Sequence, residues 1–241
     1  MPALVVEGLH AGYGRMQVVS DVSFELHAGE LMCMVGRNGA GKSTSLAAIA
    51  GKRFSPPVGR IRLGEVDLSR ATPADAYRHG IALVPEGHRV FGELTVEENL
   101  LIGRHARRRV SEAQLETVYG LFPILKEFAT RDAGRLSGGQ QQMVAIGQAF
   151  MGDPSVLLLD EPSSGLAPAV VTDIYKAVLS MRHAGKAILV VEQSLERALA
   201  YAEQVLVMEG GHVVLRGPAS ELATTSQVAE IVRGTGVSKH T

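Results

Sequence analysis

The chain has 241 residues, of which 46% are hydrophobic, so it is long and apolar enough to build a sizeable core. Its 24 Lys and Arg residues nearly balance its 25 Asp and Glu residues, which gives no whole-chain electrostatic case for a nucleic-acid partner. A single cysteine excludes an internal disulfide, and we expect Cys33, within the apolar run LMCMV, to be a buried hydrophobic side chain rather than a reactive thiol.

Two kinds of β pattern follow one another along the chain. The first thirty residues combine partial alternation with glycine turns, which is typical of an antiparallel β layer. Short continuous apolar runs then alternate with helical patterns, as in a parallel sheet covered by helices. These runs are LMCMVG (31–36), IALVP (81–85), VLLLD (156–160), AILVVE (187–192) and VLVME (205–209). We therefore predict an α/β fold that ends in a hairpin turning at Gly210-Gly211.

Residues 92–151 carry few strand signals and are predicted to be mainly helical. Thr95 followed by Glu98 predicts a capping box, and QQQMVAIGQAFM places apolar residues at helical spacing. We predict an α/β core formed by 1–91 and 152–241, with 92–151 inserted as a helical subdomain. RHARRR (104–109) is typical of a solvated helix end, with an anion or lipid-headgroup site as the alternative, and the tail GTGVSKHT is predicted to be disordered.

GRNGAGKST follows an apolar strand and precedes a helical segment, which is the context that a phosphate-binding loop of the pattern G-x-x-x-x-G-K-[ST] requires. Glycines let successive backbone N–H groups surround an anion, and the helix N-terminus adds its positive dipole. Lys42 is predicted to reach the β- and γ-phosphates, and Ser43 to ligate Mg²⁺. We expect the nucleotide to contact the whole loop: Gly36, Arg37, Asn38, Gly39, Ala40, Gly41, Lys42, Ser43 and Thr44.

Two acids follow the apolar run VLLL at the end of a predicted strand. Asp160 is placed to hold Mg²⁺, usually through water, and Glu161 could orient or deprotonate an attacking water. Two acids after a strand are weak evidence alone. Together with the phosphate loop they predict phosphoryl transfer from a nucleotide to water, achieved mostly by positioning and charge stabilisation.

A serine and two glycines begin a long helical pattern in LSGGQQQ (136–142). Such a helix start offers a hydroxyl, free N–H groups and a dipole to an anion, with a plain N-cap as the alternative. The phosphate loop already provides one anion site, so a second helix start of this kind needs its own explanation.

With GRNGAGKST, LSGGQ and VLLLDEP in this order, the chain resembles the ATP-binding subunits of ABC transporters over residues ~3–225. In that family two subunits pair head to tail, and the LSGGQ signature of one closes over the nucleotide held by the other. The resemblance implies that each active site is divided between two chains. The residues that would contact the partner's nucleotide are Ser137, Gly138, Gly139 and Gln140.

Further positions receive roles from this resemblance. Tyr13 in HAGYG matches the aromatic residue that stacks on adenine, with an edge-strand tyrosine as the alternative. Glu86 in PEGHRVF matches the Q-loop and becomes a candidate Mg²⁺ ligand in the closed state, with Arg89 as its candidate partner. A solvated loop carboxylate is the alternative for Glu86. SSGLAP (163–168) matches the D-loop, and Gln193 in VVEQS occupies the switch position that is usually histidine.

Three positions depart from the common pattern of the family: Glu86 replaces Gln, Ala167 stands where Asp is common, and Gln193 replaces His. Together they resemble one branch, the ATPase subunit of importers for branched-chain or hydrophobic amino acids (LivF-like). The resemblance implies ATP and Mg²⁺ as cofactors, and Glu161, Gln193 and Lys42 as catalytic groups. Because a glutamine cannot become a cation, we expect no switch-histidine titration near pH ~6.5.

No apolar run reaches the ~20 residues that span a bilayer, so a role at the membrane requires partners. The resemblance implies permease subunits that dock on the helical subdomain, a second and non-identical ATP-binding subunit, and indirectly a solute-binding protein outside the membrane. It places the chain at the cytoplasmic face. The alternatives are the same architecture serving urea, short amides or lipid export, and a soluble ABC ATPase of DNA repair or translation.

Overall fold

The computed structural model describes residues 2–52, 54, 59–87, 89–103, 112–224, 228 and 231. The segment RHARRR, predicted to be a solvated helix end, and the tail GTGVSKHT, predicted to be disordered, lie outside the described residues. No helix within the described ranges combines the length and the apolar character that crossing a bilayer requires.

The N-terminal part of the chain forms an antiparallel sheet of four strands. β1 (Pro2–Tyr13) pairs with β2 (Met16–His27) on one side and with β4 (Arg60–Leu63) on the other, and β4 pairs with β5 (Val66–Asp67). Most of β2 alternates between buried and more exposed residues, as expected where one face of a sheet is solvated. The predicted antiparallel layer is confirmed, although the short strands β4 and β5 had not been predicted.

The core sheet contains the predicted apolar strands. Its members are β3 (Leu31–Gly36), β6 (Ile81–Val84), β7 (Val156–Asp160), β8 (Ala187–Glu192), β9 (Gln204–Glu209) and β10 (His212–Pro218). Their order across the sheet is β10-β9-β3-β8-β7-β6, with parallel neighbours except for the antiparallel hairpin of β9 and β10. Gly210 and Gly211 have φ angles of 55° and 87° at the hairpin turn. Every residue of β3, β7 and β8 is buried, which explains their continuous apolar sequences.

The helices are α1 (Lys42–Ile49), α2 (Pro73–His79), α3 (Val96–Ile102), α4 (Glu112–Leu121), α5 (Pro123–Glu127), α6 (Gly138–Phe150), α7 (Pro168–His183), α8 (Leu195–Tyr201) and α9 (Ala219–Leu222). The capping box predicted at α3 is present. The Thr95 hydroxyl accepts a hydrogen bond from the Glu98 backbone N–H at 3.2 Å, and the Glu98 carboxylate accepts one from the Thr95 N–H at 2.8 Å.

The two faces of the core sheet pack into two hydrophobic clusters. Cys33, which is 1% exposed, points into the cluster that contains the helices of the 92–151 segment, and Met34 points to the opposite cluster under the antiparallel sheet. Cys33 is therefore the buried hydrophobic residue that the sequence predicts. The described elements between residues 92 and 151 are helical, but the first cluster runs through this segment and the core alike. The division into a core and a helical subdomain stays a prediction.

Candidate active site

The loop between β3 and α1 borders a cavity of about 280 Å³. Gly41 caps α1 with φ 100°, and a Cβ atom there would lie 2.9 Å from the Val18 carbonyl oxygen. At Gly36 a Cβ atom would lie 2.4 Å from the Met208 carbonyl oxygen. The glycines of the motif are thus needed for a left-handed turn and for close packing of the loop against β2 and β9.

Lys42 lies along this loop with its side chain 4% exposed. Its ammonium donates hydrogen bonds to the carbonyl oxygens of Gly36 at 2.8 Å and Arg37 at 3.1 Å, and it lies 4.0 Å from Glu161 Oε1. Burial lowers the pKa of Lys42, while the nearby carboxylates, Glu161 foremost, oppose that shift. The loop therefore places the Lys42 amine opposite acids whose charges favour its protonated form.

Ser43 and Asp160 meet at the end of β7. The Ser43 hydroxyl donates a hydrogen bond to Asp160 Oδ1 at 2.9 Å. Burial raises the pKa of Asp160, and the hydrogen bond from Ser43 acts against this rise. Two of the three side chains that the sequence assigns to a magnesium ion are therefore neighbours, although they are 117 residues apart in the chain.

Glu161 faces both the phosphate loop and Gln193. Gln193 Nε2 donates a hydrogen bond to Glu161 Oε2 at 2.5 Å. Burial raises the pKa of Glu161, which the hydrogen bond from Gln193 and the charge of Lys42 counteract. Glu161 also has φ 48°, a left-handed conformation that is costly for a residue with a side chain and is enriched at functional sites. The chain thus holds this carboxylate in one orientation.

Glu86 lines the same cavity and is exposed. Its charge contributes to the raised pKa of both Asp160 and Glu161, so it lies within electrostatic reach of both acids. The suggested ion pair with Arg89 is wrong, because these two described residues form none. The chain turns at Gly87, which has φ 96°, and Glu86 stays on the cavity wall.

The signature segment lies elsewhere on the chain. Ser137 caps α6: its hydroxyl accepts a hydrogen bond from the Gln140 N–H at 3.4 Å, and Gln140 Oε1 accepts one from the Ser137 N–H at 3.0 Å. Ser137 and Gly138 are exposed, whereas a Cβ atom on Gly139 would lie 2.5 Å from Val170 Cγ1 on α7. None of these signature residues lines the cavity at the phosphate loop.

Residues 19–164 of the chain match the sequence model of the ABC transporter family. The chain belongs to the ABC transporter family. It is 41% identical over 223 residues to the high-affinity branched-chain amino acid transport ATP-binding protein BraG of Pseudomonas aeruginosa, covering 92% of this chain and 95% of BraG. It is 34% identical over 229 residues to the probable branched-chain amino acid transport ATP-binding protein LivF of Archaeoglobus fulgidus, covering 94% and 96%.

The fold agrees with this assignment. An ATP-binding cassette of an ABC transporter, solved in its ADP conformation, superimposes with a TM-score of 0.83 at 29% identity and covers 97% of this chain and 99% of that one. The predicted ABC ATPase fold is therefore confirmed. ATPases of this family bind nucleotide, as that cassette does. In this chain the phosphate-loop motif lies at the cavity described above.

Not all the ABC residues predicted from sequence line this cavity. Those that do are Asn38, Gly39, Gly41, Lys42, Ser43, Thr44, Glu86, Glu161 and Gln193. Gly36, Arg37 and Ala40 belong to the loop without lining the cavity, and Asp160 reaches it through Ser43. Sequence reasoning missed Val18 of β2, an aliphatic residue on the wall that carries no chemical signal.

Tyr13 lies at the end of β1 and is 51% exposed. Its ring meets that of Phe54 edge to face, with 5.4 Å between the centroids, and the Lys52 ammonium lies 5.4 Å from each ring centroid. Phe54 and Lys52 had not been singled out in the sequence. An accessible aromatic ring beside a cation suits a flat, anionic ligand. Stacking of adenine on Tyr13 stays a prediction.

Proposed function

We propose that this chain is the ATP-hydrolysing subunit of an ABC importer for branched-chain or other hydrophobic amino acids. The observation that carries the proposal is Glu161 beside the phosphate loop, held by Gln193 at 2.5 Å and 4.0 Å from the Lys42 ammonium. The amino-acid part rests on the similarity to BraG and LivF, whose names state branched-chain amino acid transport.

ATP would lie in the loop, where the N–H groups at the start of α1 and the Lys42 ammonium bind its phosphates. Glu161 orients a water and accepts its proton while the water oxygen bonds to the γ-phosphorus. The bond from that phosphorus to the bridging oxygen of ADP breaks in the same step. Gln193 keeps the Glu161 carboxylate in place, so that no reorientation is needed as the reaction begins.

Ser43 and Asp160 would hold Mg²⁺, which neutralises phosphate charge when bound. They fit this ion because a hydroxyl and a carboxylate oxygen, both ligand types that Mg²⁺ prefers, lie 2.9 Å apart. Within the described part of the chain no three His, Cys, Asp or Glu side chains form a metal-binding group, and Mg²⁺ usually keeps water and substrate phosphates among its ligands. Glu86 is a third candidate ligand in the closed state.

The proposal includes partners on two sides. A second, non-identical ATP-binding subunit would pair head to tail, because the exposed Ser137 and Gly138 do not reach this chain's own cavity. Membrane permease subunits would dock on the helical segment 92–151 and hold the chain at the cytoplasmic face as a peripheral subunit. A solute-binding protein outside the membrane would select the amino acid.

The test is purification of the native membrane complex followed by uptake in proteoliposomes. We expect two permeases and a second ATP-binding protein to co-purify, and ATP inside the vesicles to drive leucine uptake when the solute-binding protein is supplied outside them. Glu161→Gln should stop uptake and hydrolysis while ATP binding persists. Uptake of urea or a short amide without leucine, or outward movement of lipid, would refute the amino-acid assignment. Co-purification with nucleic acid or ribosomes and without permeases would refute the transporter role.

A further inference from the structure

A buried carboxylate next to the active site is not used by the reaction described above. Glu192 ends β8 and is 2% exposed. Its Oε1 accepts hydrogen bonds from the Ser163 hydroxyl at 2.6 Å and from the Tyr175 hydroxyl at 2.7 Å. Arg197 Nη1 lies 3.3 Å from its Oε2 and also donates to Ser163 Oγ at 2.6 Å. We call Ser163, Tyr175, Glu192 and Arg197 the Glu192 cluster.

The hydrogen bonds of the cluster compensate the buried charge of the Glu192 carboxylate, and stability alone does not require a charge at this position. A buried ion pair can often be replaced by apolar side chains without loss of stability, because desolvation opposes the attraction between the charges. Here three donors from three different elements converge on one carboxylate: the segment after β7, helix α7 and helix α8. Burial, with Cys33 and Glu192 nearby, raises the pKa of Tyr175, which therefore remains a proton donor.

The position of the cluster relative to the reacting groups is specific. Ser163 lies two residues after Glu161, and Glu192 lies directly before Gln193. The same two chain segments are therefore linked twice, by Gln193 to Glu161 at 2.5 Å and by Glu192 to Ser163 at 2.6 Å. A second cavity of about 380 Å³ is lined by residues of both links, including Glu161, Ser163, Glu192 and Gln193.

We propose that Glu192 is a positioning residue for ATP hydrolysis, which fixes the segment of Glu161 against Gln193 by holding Ser163. The proposal rests on the hydrolysis proposed above. Its geometric basis is that the Glu161 backbone is tied both to β8 and to the Ser163 segment: the Glu161 N–H donates to the Val191 carbonyl at 3.0 Å, and the Glu161 carbonyl accepts from the Ser164 N–H at 3.1 Å. Loss of the Ser163 link leaves Glu161 on the wall of the cavity at the phosphate loop, but less well oriented toward water.

Two substitutions provide a test in the full-length chain, assayed within the complex of permeases and second ATP-binding subunit. Ser163→Ala and Tyr175→Phe each remove one hydroxyl from the same Glu192 oxygen, at 2.6 Å and 2.7 Å. Ser163→Ala also removes the oxygen that accepts from Arg197 Nη1. Only Ser163 belongs to the segment of Glu161. We expect Ser163→Ala to lower kcat about tenfold with the KM for ATP unchanged, and Tyr175→Phe to lower the melting temperature while kcat stays within about twofold of the parent.

Glu192→Gln is the second variant. The glutamine side chain has the same shape as glutamate and keeps an oxygen that accepts from Ser163, but it removes the negative charge that faces Arg197. We expect kcat to fall by an amount between those of Ser163→Ala and Tyr175→Phe. Hydrogen exchange over residues 161–166 gives a readout that needs no hydrolysis: Ser163→Ala should increase exchange there more than Tyr175→Phe does. Equal effects of the two hydroxyl variants on kcat and on exchange would overturn the proposal. A parent complex that contains the permeases and the second ATP-binding subunit but lacks ATPase activity would overturn the proposed function, and the exchange comparison would still decide on the link.

Discussion

Replacing Gln193 by Leu is the most direct test of how this site is built. The substitution removes the amide that donates to Glu161 Oε2 at 2.5 Å and keeps a side chain of similar size. Glu161 then keeps only the Lys42 ammonium, at 4.0 Å, as a cationic neighbour among the described contacts. We expect Gln193→Leu to lower kcat for ATP hydrolysis and to leave the KM for ATP near that of the parent, because Gln193 orients the acceptor of the water's proton.

The size of the effect follows from the kind of hydrogen bond. A hydrogen bond to a charged group contributes roughly 1.5–3 kcal/mol. Gln193 is exposed, so water can replace part of the interaction, and the lower part of that range applies. About 1.5–2 kcal/mol corresponds to a fall in kcat of about 10- to 30-fold.

The assay is single-turnover hydrolysis at saturating ATP, with Gln193→His as the control that restores a donor. We expect the histidine variant to recover most of the rate and to gain a titration near pH ~6.5, which the parent lacks. The reasoning is refuted if the leucine variant keeps the parental kcat, or if the parent already shows the same titration as the histidine variant.

Three further outcomes are expected. Gly41→Ala should destabilise the chain and weaken ATP binding more than Gly39→Ala does, as measured by calorimetry. Both glycines have positive φ, but only at Gly41 would a Cβ atom meet a backbone oxygen, at 2.9 Å. Equal losses in the two variants would contradict this. Hydrogen bonds from the Thr95 N–H and hydroxyl lower the pKa of Glu98 below its ordinary 4.5, so its stabilising effect is complete above that pH and is lost as the pH falls through the lowered value. The melting temperature of the parent should exceed that of Glu98→Gln above pH 4.5 and converge with it in more acid solution, and a constant difference would refute the assignment. Glu86→Gln should tighten metal-free ATP binding about two- to fivefold by removing a negative charge, and should raise the Mg²⁺ concentration for half-maximal hydrolysis; an unchanged Mg²⁺ requirement would exclude Glu86 as a ligand.

The features predicted correctly from sequence are those that a local pattern determines. The strands β3, β7 and β8 are buried on both faces, so their sequences are continuously apolar and easy to recognise. The phosphate loop needs glycines at fixed positions for backbone reasons, and therefore its spacing is diagnostic. By contrast, β4 and β5 are four and two residues long and carry charged side chains, which leaves no periodic signal to find.

The contacts that orient the active site could not be predicted, because they join residues far apart in the chain. Gln193 and Glu161 are 32 residues apart, and Ser163 and Glu192 are 29 apart. No spacing rule specifies such pairs. Arg89 illustrates the opposite error: its closeness to Glu86 in sequence suggested an ion pair, but a left-handed turn at Gly87 comes between them.

The phosphate loop and the start of α6 lie at separate places on this chain. The phosphate loop, Glu161 and Gln193 share one cavity, whereas the exposed Ser137 at the start of α6 does not line it. The internal contacts of Glu161 described above hold it from the side of its own chain. Under the proposed head-to-tail pairing, the donors on the other side of the γ-phosphate come from a partner, so hydrolysis depends on closure of the dimer. A substitution of Ser137 would then impair hydrolysis at the partner's nucleotide, whereas a substitution of Glu161 would impair it at this chain's own.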